Sequence, residues 1–190
     1  MNHHLNTVIV NGSLGRPSRT RTLLDLLRER LGSELPLKAQ HIDLVDIATD
    51  VGAALSRDAL PLKARQAVHA IEQADFLIVG APVFRASVPG LFKHLFDLVD
   101  QHALHGKPVL LAATGGSARH SLVLDHQLRP LFAFFQSLTL PVGVYAAPED
   151  IQDGSASEAL RKHVALAARL AVPVLEDALQ RRVPAVPLAA

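Results

Sequence analysis

Short apolar runs alternate along the chain with longer stretches in which apolar residues recur at helical spacing. The apolar runs predict strands at residues 5–11, 37–44, 74–82, 107–114 and 138–146. The stretches between them predict helices at residues 18–31, 60–73, 89–101, 119–137 and 155–172. Strands that alternate with helices in this way form a parallel sheet, because each connection crosses over one face of the sheet.

Five strands of this kind favour a single α/β architecture. Small parallel proteins with five strands commonly adopt the flavodoxin-like strand order 2-1-3-4-5, with helices on both faces of the sheet. We therefore predict one domain over residues 1–190. Within it, residues 173–190 are expected to form an irregular tail, because this stretch contains three prolines.

Composition narrows the class of function. The net charge of +1 gives no reason to expect nucleic-acid binding, and the absence of cysteine excludes disulfides, thiolate catalysis and cysteine-ligated metal sites. No apolar run approaches the roughly 20 residues that span a bilayer, and the N-terminus lacks the pattern of a secretory signal. We expect a cytoplasmic protein without a membrane segment.

Three loops lie where such a fold binds its ligand, at the carboxyl ends of the strands beside the switch point. The first loop is residues 12–20, the second loop residues 81–88 and the third loop residues 114–120. All three have an unusual composition. We therefore expect them to form one site.

The first loop and the start of the following helix are rich in hydrogen-bond donors. Residues 13–22 hold four hydroxyl side chains and three arginines, but no Gly-Lys-Ser/Thr and no third glycine of a dinucleotide fingerprint. A helix start favours anions, so this composition predicts a site for a phosphate monoester. The alternative is a solvated turn in which Ser18 caps the helix.

The second loop places an aromatic residue next to an arginine. Phe84 and Arg85 lie between Pro82 and Pro89, which restrict the backbone at both ends. An exposed ring on a stiff loop suits a flat ligand. The alternative is that Phe84 packs in the core and Arg85 is solvated.

The third loop begins with two glycines. Gly115 and Gly116 would let backbone amides approach a ligand closely, since a side chain there would block it. The alternative is an ordinary turn with Ser117 as a helix cap. We find no motif of a nucleophile or a metal site, and therefore name no catalytic side chain and no metal ligand. A cofactor with one phosphate and one flat ring system, such as FMN, would supply the chemistry.

At these three loops the chain resembles the NAD(P)H-dependent FMN reductase family, over about residues 5–150. The segments are NGSLGRPSRT, GAPVFRASVPGLFKHLFDLVD and ATGGSARHSLVLDHQLRPLF. They look most like the flavin reductases of two-component alkanesulfonate or methanesulfonate monooxygenase systems. The resemblance implies an FMN site, with NADH or NADPH as reductant, that is formed by Ser13, Leu14, Ser18, Arg19, Thr20, Pro82, Val83, Phe84, Arg85, Gly115, Gly116 and Ser117.

The resemblance also implies a homodimer or homotetramer that hands reduced flavin to an FMNH2-dependent monooxygenase. Two other functions stay open: a flavodoxin-like electron carrier, and a quinone or azo-dye reductase with bound FMN. A near-neutral chain with one tyrosine and no tryptophan fits the electron carrier less well, since flavodoxins usually have an acidic surface and aromatic rings on both flavin faces.

The predicted helix at 119–137 is apolar over more than one face, so we expect it to form a subunit interface together with helix 89–101. Pro130 lacks an N–H and crowds the carbonyl of His126, four residues earlier. A π-bulge would let that carbonyl pair with the Leu131 N–H. Family members resemble this chain in carrying an extra residue here, often tyrosine, and His126 takes its place. The alternative is a simple proline kink with His126 facing water.

Overall fold

The computed structural model describes residues 4–181 and forms a parallel sheet between two layers of helices. The strands are β1 (Leu5–Asn11), β2 (Leu37–Asp43), β3 (Phe76–Pro82), β4 (Pro108–Thr114), β5 (Leu138–Thr139) and β6 (Val144–Ala146). Their order is β2-β1-β3-β4-β5, and β6 pairs with β4 further along the same edge as β5. Every pair in this sheet is parallel. The predicted flavodoxin-like order is confirmed.

The predicted fifth strand is broken into two pieces that occupy the same edge of the sheet. Pro141 lacks the N–H that a continuous ladder would need at this point. Gly143 passes close to β4, where an added Cβ would lie 3.2 Å from the Leu111 carbonyl oxygen. The sheet therefore has six strands in five positions, rather than the five continuous strands that we predicted.

The helices cover both faces of the sheet, as predicted. They are α1 (Arg19–Gly32), α2 (Ala48–Ala53), α3 (Leu62–Gln73), α4 (Gly90–Asp97), α5 (Arg129–Phe134) and α6 (Glu158–Arg181). Side chains of β3 alternate between two cores: Phe76 and Ile78 pack with α1 and α6, while Leu77 and Val79 pack with the helices of the opposite face. A short antiparallel hairpin, Ile151–Gln152 with Ser155–Ala156, precedes α6.

The prediction of an irregular tail from residue 173 was wrong up to Arg181, because α6 continues through Pro173. A proline inside a helix costs roughly 3 kcal/mol. The buried face of α6 continues past it to Leu175, so packing outweighs the loss. The rest of that predicted tail, residues 182–190, lies outside the described residues.

The predicted helix at 119–137 is also not continuous. It divides into a 3-10 turn (Ala118–His120), a π-helical segment (Leu124–Leu128) and α5. In the π-helical segment, the Arg129 N–H donates to the Leu124 carbonyl, five residues back. This segment contains His126, but its wide bond joins Arg129 to Leu124 rather than Leu131 to His126, where our argument placed it. In residues 4–181, no helix is long and apolar enough to cross a bilayer.

Candidate functional site

The three predicted loops meet at the carboxyl edge of the sheet, joined by backbone hydrogen bonds. The Gly12 N–H donates to the Gly80 carbonyl at 2.7 Å, which ties the first loop to β3. The Val83 N–H donates to the Thr114 carbonyl, also at 2.7 Å, which ties the second loop to β4. The first and second loops are thus each fixed at their base by a neighbouring strand.

The three arginines near the first loop have different surroundings. The Arg16 guanidinium pairs with Asp46 at 2.8 Å, and the Arg21 guanidinium pairs with Asp43 at 2.6 Å. The hydrogen bond from Arg16 lowers the pKa of Asp46. Arg19 is exposed and makes no ion pair with any residue between 4 and 181. It is therefore the guanidinium that an incoming anion could use.

The hydroxyl groups of the first loop hold the loop in shape and leave capacity for a ligand. The Ser18 hydroxyl oxygen accepts the Arg21 N–H at 3.1 Å, so Ser18 caps α1 as the alternative interpretation predicted. Its own proton stays available for another acceptor. The Ser13 N–H donates to the Asn11 side-chain carbonyl at 3.1 Å, and the Ser13 hydroxyl donates to the Gly15 carbonyl at 3.2 Å.

Thr20 and Thr114 form a buried hydroxyl pair between the first and third loops. Their oxygens lie 2.7 Å apart, and either can be the donor. Only one proton lies between the two oxygens, so one hydroxyl keeps a proton for another acceptor. Our sequence analysis missed Thr114. The signal that could have found it is a hydroxyl at the last position of an otherwise apolar strand.

The second loop is a tight turn whose central residues adopt positive φ. Phe84 and Ser87 exchange backbone hydrogen bonds of 2.7 and 3.0 Å. Between them, Arg85 has a φ of 50° and Ala86 a φ of 66°, a conformation that is unfavourable for residues with a side chain. Such strain is typical of functional loops. The Phe84 side chain is 48% exposed, so the alternative that placed it in the core was wrong.

Three further predicted residues form the inner wall of these loops. Leu14 and Val83 are partly buried against the core, and Pro82 is the last residue of β3. Their side chains are apolar and offer no hydrogen-bonding group to a ligand.

At Gly115 the structure differs from our prediction that the backbone amide is open to a ligand. The Gly115 N–H donates to the Ala146 carbonyl at 3.1 Å, and an added Cβ would lie 2.1 Å from the Tyr145 hydroxyl oxygen. Position 115 must therefore be glycine, because the Tyr145 side chain occupies the space that a Cβ would need. Gly116 differs, because an added Cβ would meet nothing within 4 Å. The Ser117 hydroxyl accepts the Arg119 N–H at 3.3 Å, so Ser117 caps the short 3-10 turn.

Comparison with known proteins identifies the family of the chain. A family model described as NADPH-dependent FMN reductase matches residues 5–152. The chain belongs to this family. It is 55% identical over 175 residues to a Pseudomonas fluorescens protein named NADH-dependent FMN reductase SfnF, covering 92% of this chain and 94% of that protein. It is 50% identical, with the same coverage, to a Pseudomonas aeruginosa protein named FMN reductase (NADPH).

Solved structures share the fold of this chain. An oxidoreductase from Corynebacterium diphtheriae superposes with a TM-score of 0.80 at 38% identity, covering 91% of this chain and 98% of that one. A WrbA-like flavodoxin from Agrobacterium tumefaciens superposes with a TM-score of 0.63 at 18% identity, covering 90% of this chain and 98% of that one. At that identity the flavodoxin shows the fold alone.

The side chains of the three loops fit FMN, the molecule named in the description of the family. The Arg19 guanidinium, the Ser18 hydroxyl and the spare proton of the Thr20–Thr114 pair could hold a phosphate, since all three are donors. The exposed Phe84 ring and the Arg85 side chain could contact a flat ring system.

The π-helical segment adjoins the second loop. The Ser87 hydroxyl donates to the Gln127 side-chain carbonyl at 3.1 Å. His126, the neighbouring residue, is exposed in this chain, as the proline-kink alternative also expected. The segment that carries His126 is therefore connected to a loop of the candidate FMN site.

Tyr145 is the second site residue that our sequence analysis missed. Its hydroxyl donates to the Ser117 carbonyl at 2.6 Å, which joins β6 to the third loop. Burial raises the pKa of the Tyr145 phenol above its ordinary value. The charges of Glu149 and Asp150 add to this effect, while the charge of Arg19 opposes it.

This pKa shift predicts an alkaline loss of stability. The folded pKa lies above the unfolded value of about 10, so the stabilisation is fully present below about pH 10 and is lost as the pH rises through the folded pKa. We expect the free energy of unfolding in urea to fall between about pH 8 and about pH 11 by more in the native protein than in Tyr145→Phe. An equal fall in both proteins would contradict the assignment. Phenolate absorbance follows the same ionisation, because Tyr145 is the one tyrosine in the sequence.

Proposed function

We propose that this protein reduces FMN with NADH or NADPH. The observation that carries the proposal is that two loops lie at the same edge of the sheet, one with Arg19, which is free of ion pairs within residues 4–181, and one with the exposed Phe84. One group suits a phosphate and the other a flat ring. Membership of the FMN reductase family supports the same conclusion.

The first loop would bind the phosphate of FMN. Arg19 would contribute a charge-assisted hydrogen bond, and Ser18 and Thr20 would donate from their hydroxyls. Arg16 and Arg21 are less suitable, because each is already paired with an aspartate. Ser13 and Leu14 would shape the loop around the ligand.

The second and third loops would bind the isoalloxazine ring. Phe84 and Arg85 would contact it from the strained turn, with Pro82 and Val83 at its base, and Gly116 and Ser117 would lie along its edge. FMN held by these loops would supply the hydride-accepting ring, so the protein's part in catalysis is to align two flat rings and exclude water. We therefore assign no acid or base to a side chain.

The product would be released to a partner enzyme. The three loop segments resemble those of reductases that serve sulfonate monooxygenases, so we propose an FMNH2-dependent monooxygenase of sulfonate sulfur assimilation as the partner. The nicotinamide nucleotides that the reaction consumes favour a cytoplasmic location.

Assembly into a homodimer or homotetramer would use α4 and the segment from the π-helix to α5. Phe134 is 67% exposed and lines a groove together with His126 and Pro130. Leu122, shortly before the π-helical segment, is 59% exposed. Apolar side chains so exposed are typical of an interface. We propose that a second copy of the chain covers them, with His126 at the contact.

The activity can be tested directly. We expect the purified protein to oxidise NADH or NADPH only when FMN is added, followed by the loss of nicotinamide absorbance. Tight retention of FMN through gel filtration, with faster turnover of a quinone than of free flavin, would instead favour a quinone or azo reductase. FMN binding without any nicotinamide oxidation would favour an electron carrier.

Removing the Arg19 guanidinium should weaken binding of FMN selectively. A charge-assisted contact contributes roughly 1.5–3 kcal/mol, so Arg19→Ala should raise the Kd for FMN about ten- to a hundredfold. Riboflavin, which lacks the phosphate, should bind both proteins equally. Arg16→Ala is the matched control, since Arg16 lies in the same loop but is paired with Asp46. Equal losses for both flavins in Arg19→Ala would assign the arginine a structural role.

Placing a charge in the proposed interface should separate the subunits. We expect Phe134→Asp to lower the molar mass in sedimentation, to one chain from a dimer or to a smaller assembly from a tetramer, because a carboxylate in an apolar contact is strongly unfavourable. Leu62→Asp is the control, because Leu62 is 70% exposed on α3, away from the groove. An unchanged mass for Phe134→Asp, or an equal effect of both substitutions, would contradict the proposed interface.

A further inference from the structure

We propose that Tyr145 is a positioning residue that fixes the third loop in the shape that binds flavin. The inference rests on the proposed FMN site and concerns how the chain builds that site. It is carried by the contacts of the Tyr145 side chain with Ser117 and Gly115.

The Tyr145 hydroxyl acts on a single peptide group. It donates to the Ser117 carbonyl at 2.6 Å, and the His120 N–H donates to the same carbonyl at 3.1 Å. Two donors on one carbonyl fix the direction of that peptide. Because a trans peptide is planar, the Ala118 N–H is then fixed in the opposite direction.

The ring of Tyr145 also fills the space beside Gly115. An added Cβ on Gly115 would lie 2.1 Å from the Tyr145 hydroxyl oxygen and 3.1 Å from Cζ. The loop can take this course only because residue 115 has no side chain. The Tyr145 side chain therefore lies against the third loop at two places, Gly115 and Ser117.

The backbone of Tyr145 is in turn held by the sheet. Tyr145 pairs with Ala113 across the β4–β6 ladder, and the following residue, Ala146, accepts the Gly115 N–H. The phenol thus connects the rigid edge of the sheet to a loop that would otherwise be attached only at its ends. Its single proton is used by the Ser117 carbonyl, so Tyr145 acts through the loop and does not donate to a ligand.

The test is Tyr145→Phe, which keeps the ring against Gly115 and removes the hydroxyl. We expect the Kd for FMN and the Kd for riboflavin, measured by quenching of flavin fluorescence, to rise by the same factor of about three to ten. The factors should be equal because the third loop faces the ring system that both flavins share. This pattern is the opposite of the one expected for Arg19→Ala.

Ser33→Ala is the matched control. The Ser33 hydroxyl also donates to a carbonyl, that of Arg30 at 2.7 Å, but at the far end of α1. It should lower the melting temperature slightly and leave both Kd values unchanged. Wild-type affinity for both flavins in Tyr145→Phe, even with a lower melting temperature, would overturn the proposal. A loss for FMN alone would also overturn it, since it would place the effect at the phosphate.

A second substitution tests whether Gly115 and Tyr145 act on one contact. Gly115→Ala should weaken flavin binding more in the native protein than in Tyr145→Phe, because the hydroxyl oxygen that it would meet is absent there. Equal effects in both backgrounds would overturn the proposal. A native protein that bound neither flavin would overturn the proposed function as well. Flavin binding without nicotinamide oxidation would overturn only the proposed activity, and the Kd comparison would stand.

Discussion

The hydrogen bonds of Thr114 are the constraint on which the candidate site depends. Its carbonyl accepts the Val83 N–H of the second loop, and its hydroxyl pairs with that of Thr20 at the start of α1. Thr114 is also the first residue of the third loop. One buried residue at the end of β4 therefore fixes the relative positions of three chain segments, and buried polar groups of this kind have few alternative partners.

Of the three arginines near the first loop, Arg16 and Arg21 are paired with aspartates and Arg19 is not paired within residues 4–181. Asp43, at the end of β2, pairs with Arg21 and also accepts the side-chain N–H of Asn11, whose carbonyl orients Ser13. The acidic side chains beside the first loop thus neutralise two of its three arginines and leave Arg19. In the proposed FMN site, this arrangement would offer one cation to a phosphate without forming a broad basic surface.

The sequence predicted the strands and the three loops because both depend on local signals: apolar runs, glycines and clustered hydroxyls. The strand order came instead from the order that small five-stranded parallel proteins commonly adopt. The sequence could not predict which donors are already used within the protein. The pairing of Gly115 with Tyr145, or of Arg21 with Asp43, joins residues that are distant in the chain. The extent of α6 beyond Pro173 was missed for a related reason, since tertiary packing overrides a local preference.

The broken strand at the edge of the sheet also affects how the protein meets other molecules. β5 and β6 have only two and three residues, so that edge offers little continuous backbone to an incoming strand. At the opposite edge, β2 exposes Lys38 and Gln40, and a lysine there discourages strand addition. Neither border of the sheet is suited to extension by another chain. This protects the fold from aggregation through its strands and leaves helix surfaces as the route by which copies can associate.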